Sequence, residues 1–246
     1  MIAGYQVLLV IPAYREAGRL PPYLRELSGV LSRGGFSTAI LIVDDGSPIE
    51  EQQALRGLIE IGTIGSCEIL QPLVLPENRG KGGAVLAGWR SGVKADWLAF
   101  VDADGALSAA EVLRVLRLAV SGQQQAVYCA SRVGELQRLV RRRWNRWVLG
   151  RAFAQVVRFM LNLGINDSQC GFKLLPAACF HLVDPQLQEQ GYCFDLELLL
   201  ALQRRDVRIV EVPVNWQDQP GGKVRPLRDG IRMLRQLCRL RKRFRQ

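Results

Sequence analysis

Four apolar runs punctuate the first hundred residues. Residues 7–12 read VLLVIP, 39–43 AILIV, 68–75 EILQPLVL and 97–101 WLAFV. Largely continuous hydrophobicity of this kind marks strands covered on both faces, as in a parallel sheet. Between the runs, residues 20–32, 50–61, 83–93 and 109–120 carry helical spacing. The order βαβαβαβ predicts a doubly wound, mostly parallel α/β sheet. Further on, 126–130 reads as a strand and 136–163 as a long Arg-rich helical stretch. Short elements follow near 170–175, then a helix at 194–204, a strand at 207–214 and a basic amphipathic helix at 227–244. This divides the chain into an α/β domain, 1–224, and a basic tail, 225–246. The chain has 246 residues, 48% of them hydrophobic. That excludes a disordered chain and is enough to bury a core without staples.

The formal net charge is +10, and its placement is uneven. Residues 132–158 hold eight arginines and one acid. Residues 225–246 hold nine Lys/Arg and one acid, which leaves the rest of the chain at −5. Two basic segments in the C-terminal half point to anionic partners. The six cysteines form no CxxC pair and the single histidine gives no zinc spacing, so they read as reduced thiols of a cytosolic protein. The start lacks a basic region and a clear cleavage site, so it reads as a strand rather than a signal peptide. No stretch reaches the ~20 apolar residues that span a bilayer.

Ligands of such sheets bind beyond the carboxyl ends of the strands. AILIV runs into Asp44-Asp45-Gly46-Ser47, and WLAFV runs into Asp102-Ala103-Asp104-Gly105. Carboxylates at i and i+2 can converge on a hard cation such as Mg2+ or Mn2+, leaving positions for phosphate oxygens. Asp44 is suited to accept hydrogen bonds from a ribose or base. Asp and Gly also mark plain turns, but two acidic clusters closing two strands of one sheet favour a site.

VIPAYRE, VDDGS, NRGKGGA and VDADG, in this order, resemble the family 2 glycosyltransferases of GT-A fold. DSQCGFKLL, FDLELL and VPVNW extend the likeness to the branch that makes polyprenyl-phosphate sugars, the dolichyl-phosphate glucosyltransferases and mannose synthases. The resemblance runs from residue 7 to about 224. It implies that Asp102 and Asp104 bind the metal and, through it, the donor diphosphate. It places Asp44 on the nucleotide, and Pro12, Tyr14 and Glu16 around base and ribose. The mannose synthases carry a glutamine where this chain has Ala106, which favours UDP-glucose over GDP-mannose and leaves the metal's third protein ligand open.

Asn78-Arg79-Gly80-Lys81-Gly82-Gly83 precedes a helix, where glycine amides and a lysine suit phosphate. It is neither a Walker A loop nor GxGxxG, and taken alone the pattern favours a plain turn before a helix over a phosphate loop. The resemblance assigns Arg79 and Lys81 to the donor. Arg141, Arg142, Arg143 and Arg146, with Trp144 and Trp147, combine bidentate phosphate grip with indoles that favour a membrane interface. The resemblance makes Arg143 and Arg146, with Arg132 nearby, the hands on the acceptor phosphate. It likewise puts Gln169 near the sugar, and Lys173 suits phosphate charge. Asp195 and Glu197, at i and i+2 of a helix start, do not share a face. Either could reach the sugar, or simply complement the helix dipole. His181 reads as a partly buried, satisfied side chain. In the tail, Ile231, Leu234, Leu237 and Cys238 form one face and arginines the other, a pattern that suits an anionic membrane surface or packing on the domain.

The expectation is therefore a metal-dependent, inverting transferase. It would move a hexose from a nucleotide sugar to a polyprenyl phosphate, peripheral on the cytoplasmic face of a membrane and without nucleic acid. A different donor or acceptor is the enzyme alternative, and a basic membrane- or nucleic-acid-binding protein is the non-enzyme one.

Overall fold

The computed structural model describes residues 4–57, 62–122, 125–133, 140–141, 144–219 and 226–244. Among them, strands β1 (Tyr5–Ala13), β2 (Thr38–Asp44), β3 (Thr63–Ile64), β4 (Cys67–Ile69), β5 (Leu73–Val74), β6 (Ala95–Val101), β7 (Val127–Ser131), β9 (Phe172–Pro176) and β10 (Ile209–Pro213) form one sheet. Its order is β10-β7-β9-β6-β1-β2-β4-β3, with β5 also on β2. All pairings are parallel except those of β9 with β6 and β7 and of β3 with β4. β8 (Val140–Arg141) and β11 (Trp216–Gln217) make a separate parallel pair.

Helices α1 (Leu20–Leu31) and α4 (Ala109–Val120) cover one face of the sheet. Helices α3 (Lys81–Trp89), α6 (Ala177–Val183), α7 (Phe194–Gln203), α5 (Trp144–Leu161) and α8 (Pro226–Arg243) cover the other, and α2 (Ile49–Gly57) follows β2. The period of two in β1 feeds both cores: Val7, Leu9 and Ile11 join the first, Leu8 and Val10 the second. β1 sits between β2 and β6. The chain therefore leaves β1 in one direction for β2 and returns on its other side for β6. This reversal opens a crevice at the carboxyl ends of the three strands.

The predicted doubly wound, mostly parallel architecture is the one observed, with several local differences. The expected strand at 68–75 is two, because Pro72 between them offers no N–H to a ladder. Residues 170–175, read as short elements, contribute the antiparallel strand β9 at the centre of the sheet. Within the long stretch at 136–163, β8 precedes α5, which starts only at Trp144.

The tail helix α8 is docked. Leu237 and Leu240 are fully buried in the core that holds α3 and α7, while Leu234 and Cys238 are exposed. The apolar face read from the sequence is thus split between core and solvent. No helix among the described residues is long and apolar enough to cross a membrane.

Candidate functional site

A cleft of about 1180 Å3 opens where β1, β2 and β6 end. The end of β1 supplies Pro12 to its wall, and the turn after it Tyr14, Glu16 and Arg19. Asp45 comes from the end of β2, Arg79, Gly80 and Lys81 from the start of α3, and Asp102 and Asp104 from the end of β6. The far wall is made by the 188–192 loop and by Arg232, Met233 and Gln236 of α8.

Of the two residues after AILIV, it is Asp45 that reaches the cleft. Asp44 is fully buried, with Oδ2 accepting the Ser47 N–H at 3.0 Å and Oδ1 left without a hydrogen-bond partner. Asp45 is itself engaged, accepting the N–H groups of Arg79 and Gly80 at 2.7 and 2.8 Å. Burial pushes its carboxyl up, and those two amides oppose the shift. Two amides that sequence reasoning offers to a phosphate are therefore held by an aspartate of the chain. Gly80 carries φ +90°, and a Cβ there would lie 2.7 Å from the Gln190 carbonyl, so the loop needs glycine at this point.

Asp102 and Asp104 line the cleft together. Asp104 Oδ1 accepts the Ala106 N–H at 3.0 Å, so residue 106 orients this carboxylate through its backbone, although its side chain offers no ligand. Burial raises the Asp104 pKa, and repulsion from Asp102 raises it further. Two hard oxygen donors that repel one another in a half-buried cleft fit a divalent cation, which would relieve both effects. No third His, Cys, Asp or Glu completes a ligand cluster with them among the described residues. The remaining coordination would fall to substrate oxygens and water.

Lys81, assigned from the sequence to the donor, is committed to the protein. Its Nζ lies 2.9 Å from Asp102 Oδ1 and 3.5 Å from Asp195 Oδ2. Burial works to lower the lysine's pKa, but the two carboxylates outweigh it and hold it above the ordinary lysine value. Lys173 is fully buried rather than facing a phosphate. Its Nζ donates to the Cys170 carbonyl at 2.7 Å and pairs with Asp195 Oδ1 at 3.3 Å. Both ammonium groups approach the Phe100 ring, at 4.7 and 5.8 Å from its centroid. Lys173, Asp195, Lys81 and Asp102 thus form an alternating chain of charges from the core to the cleft.

Glu197 is fully buried in the other direction. It accepts the N–H groups of Gln188 and Glu189 from the cleft loop and pairs with Arg243 of α8. Neither acid of FDLELL offers a carboxylate to the cleft. The Gln169 amide donates to the Tyr192 carbonyl at 3.1 Å, beneath the same loop, and does not line the cleft. Arg132 forks onto both oxygens of Asp167 at 2.7 and 2.8 Å and stacks on Trp216, so it is not offered to a ligand. Arg143 lies outside the described residues, and Arg146 belongs to α5 by its backbone alone. His181 is exposed rather than partly buried, set against Phe180.

A family model described as glycosyl transferase family 2 matches residues 8–178. The chain belongs to that family. It is a glycosyltransferase, and the cleft at the carboxyl ends of β1, β2 and β6 is where its carboxylate pair sits. The dolichyl-phosphate beta-glucosyltransferase of Dictyostelium discoideum is 31% identical over 245 residues, 96% of this chain and 74% of that protein. The mouse protein of the same name is 32% identical over 249 residues, covering 97% and 76%. Among solved structures, glucosyl-3-phosphoglycerate synthase from Mycobacterium tuberculosis with UDP aligns with a TM-score of 0.69 at 15% identity, over 98% of this chain and 80% of that one. Its complex with Mn2+, UDP-glucose and phosphoglyceric acid gives 0.68 at 17%, over 96% and 78%. At these identities the structures establish a shared fold, the GT-A architecture expected from the sequence motifs.

Proposed function

We propose that this glycosyltransferase moves glucose from UDP-glucose to a polyprenyl phosphate, with inversion to a β-linked product. The observation that carries this reading is the state of the carboxylates. Asp195 and Glu197 are turned into the protein, Glu16 is paired with Arg19 at 2.6 Å, and Asp45 holds two amides. An acceptor hydroxyl would need a general base, and none of these carboxylates is free to serve as one. A phosphate monoester has a second pKa of about 6 and is already largely ionised at neutral pH, so it needs none. The work left to the protein is positioning and stabilisation of the leaving diphosphate.

Asp102 and Asp104 would hold Mg2+ or Mn2+, which supplies Lewis-acid stabilisation of diphosphate charge. The names of the relatives, dolichyl-phosphate beta-glucosyltransferases, support the acceptor class and the sugar. Ala106 in place of glutamine agrees with that branch, and the UDP and Mn2+ in structures of the same fold agree with the donor and metal. Arg79, whose guanidinium makes no ion pair or hydrogen bond with another described residue, is the cation we assign to the donor. Arg143 and Arg146 remain our assignment for the acceptor phosphate, and Pro12, Tyr14, Glu16 and, in place of the fully buried Asp44, Asp45 for the nucleotide end.

Purified protein given polyprenyl phosphate and Mg2+ or Mn2+ should transfer label from radiolabelled UDP-glucose and not from GDP-mannose. Asp104→Asn should lower the rate by about 100-fold or more with the fold intact, the scale of several kcal/mol of lost charge stabilisation. Transfer from GDP-mannose alone would refute the donor assignment, and equal transfer to a neutral polyprenol would refute the acceptor.

We also place the enzyme at the cytoplasmic surface of a membrane, with the basic tail, 225–246, as the contact. Arg235, Arg239 and Lys242 are exposed there beside Leu234, and Phe159 of α5 is 84% exposed. Each basic group near anionic lipid contributes about 1 kcal/mol. Reversing Arg235 and Arg239 to Glu should abolish co-flotation with phosphatidylserine vesicles. Undiminished flotation would remove the tail from membrane binding.

A further inference from the structure

We propose that α8 is a working wall of the active site and that Arg232 on it binds a phosphate group of a substrate. This rests on the phosphate-bearing donor and acceptor proposed above and adds a residue to which neither the motifs nor the resemblance points.

Three contacts fix α8 against the cleft. Gln236 Nε2 donates to Glu189 Oε2 at 2.9 Å, Arg243 Nη1 donates to Gln188 Oε1 at 3.0 Å, and the Arg243 guanidinium pairs with buried Glu197. Glu197 in turn accepts the N–H groups of Gln188 and Glu189 at 2.9 and 2.7 Å. Gln190, in the same loop, accepts the Gly83 N–H at 2.9 Å, which ties the loop to the start of α3. Beneath, Leu237 and Leu240 anchor the helix in the core. Residues three and four apart share a helix face. With Gln236 on the loop and Leu240 in the core, Arg232 is carried to the cleft one turn earlier, beside Met233.

The Arg232 side chain is exposed, and its guanidinium makes no ion pair or hydrogen bond with another described residue. It shares the cleft with Asp102 and Asp104. Its charge, with those of Arg239 and Arg243, draws on the Glu189 carboxylate of the loop. A guanidinium held by no direct bond, on a wall that also carries a metal-binding carboxylate pair, suits bidentate capture of phosphate oxygens. The phosphate is either the acceptor's monoester or the donor's diphosphate. Arg243 is a positioning residue, acting through Glu197 and the loop rather than on substrate.

Steady-state kinetics of Arg232→Gln separate the sources. The KM of one substrate should rise on the order of 10- to 100-fold, as for loss of a charged hydrogen bond, with kcat within about three-fold. A rise for polyprenyl phosphate assigns the lipid phosphate. A rise for UDP-glucose, with weaker UDP binding by calorimetry in Mn2+, assigns the diphosphate. Arg232→Lys should recover part of the loss, and Arg243→Gln should raise the same KM by a smaller factor, which Arg243→Lys reverses. Since Arg232 is exposed, melting of its variants should match wild type. If wild type transfers glucose and neither KM of Arg232→Gln moves beyond about two-fold, the proposal is overturned. If wild type transfers nothing, the functional reading fails instead. The arginine is then read directly, and unchanged binding of Arg232→Gln to both Mn2+-UDP and polyprenyl-phosphate vesicles overturns it.

Discussion

Replacing Gly171 with alanine is expected to cut transfer by about 100-fold or more while leaving the sheet folded, the penalty of roughly an ångström of misplacement in a catalytic group. A Cβ at this position would lie 2.1 Å from Asp102 Oδ2 and 2.5 Å from Asp102 Cγ. Something must move. The backbone is the stiffer partner, because the Gly171 carbonyl accepts the Asp102 N–H at 3.0 Å and the β6–β9 ladder begins at Val101 and Phe172. The carboxylate is the softer one, since leaving its rotamer costs only about 1 kcal/mol. Asp102 should therefore swing out of the cleft and away from Lys81. Electron paramagnetic resonance of Mn2+ with UDP would show weaker metal binding, while circular dichroism and the melting temperature stay near wild type. Activity above a third of wild type with normal Mn2+ binding would show that Asp102 tolerates the methyl group. The QCGFK segment then owes its place at the site to something other than room for this carboxylate.

The same residue shows why part of the site was legible in the sequence and part was not. WLAFV followed by DADG places two acids at the end of a buried strand with local information alone, and the structure puts both in the cleft. DDG offers two adjacent acids, and which one reaches the cleft depends on strand register: Asp44 pairs with Ala13 as the last residue of β2, and one step changes the face. Gly171 acts on Asp102 only because β9 inserts antiparallel beside β6, a pairing between residues some seventy apart that no periodicity announces. Asp195 and Glu197 point apart, as their spacing requires, but α7 is buried all round, so both faces meet protein. The tail's amphipathic pattern is equally suited to lipid and to a core. Leu237 and Leu240 lie in the core on the α7 side of the sheet, and α8 packs on α5, which is far off in sequence.

The charge chain behind Asp102 yields the second large effect. Asp195→Asn leaves the Lys81 and Lys173 ammonium groups sharing Phe100, with Asp102 as the remaining carboxylate in the chain. Breaking a buried pair from one side costs about 3–5 kcal/mol. For a chain of this size that lowers the melting temperature by about 10 °C. The pH dependence should also change sign. In the wild type, burial lowers the Lys173 pKa but Asp195 outweighs it, and the folded value sits above the ordinary lysine value. A lysine shifted upward contributes stability that is complete below the unfolded pKa near 10.5 and lost only as pH rises through the folded value. This pair therefore gives the wild type no gain in stability between pH 7 and 10. Without Asp195, burial is the dominant influence left on Lys173, and its folded pKa falls below the unfolded one. The unfolded chain then binds more protons than the native one, and stability rises with pH across the window between the two values. Urea midpoints of Asp195→Asn should climb relative to wild type from pH 7 to pH 10. Parallel curves would mean that the ammonium is solvated or re-paired once Asp195 is gone. Lys81→Met should destabilise by a similar amount without this alkaline recovery, since it removes the cation and leaves Asp102 beside Asp104 with no ammonium to offset their repulsion.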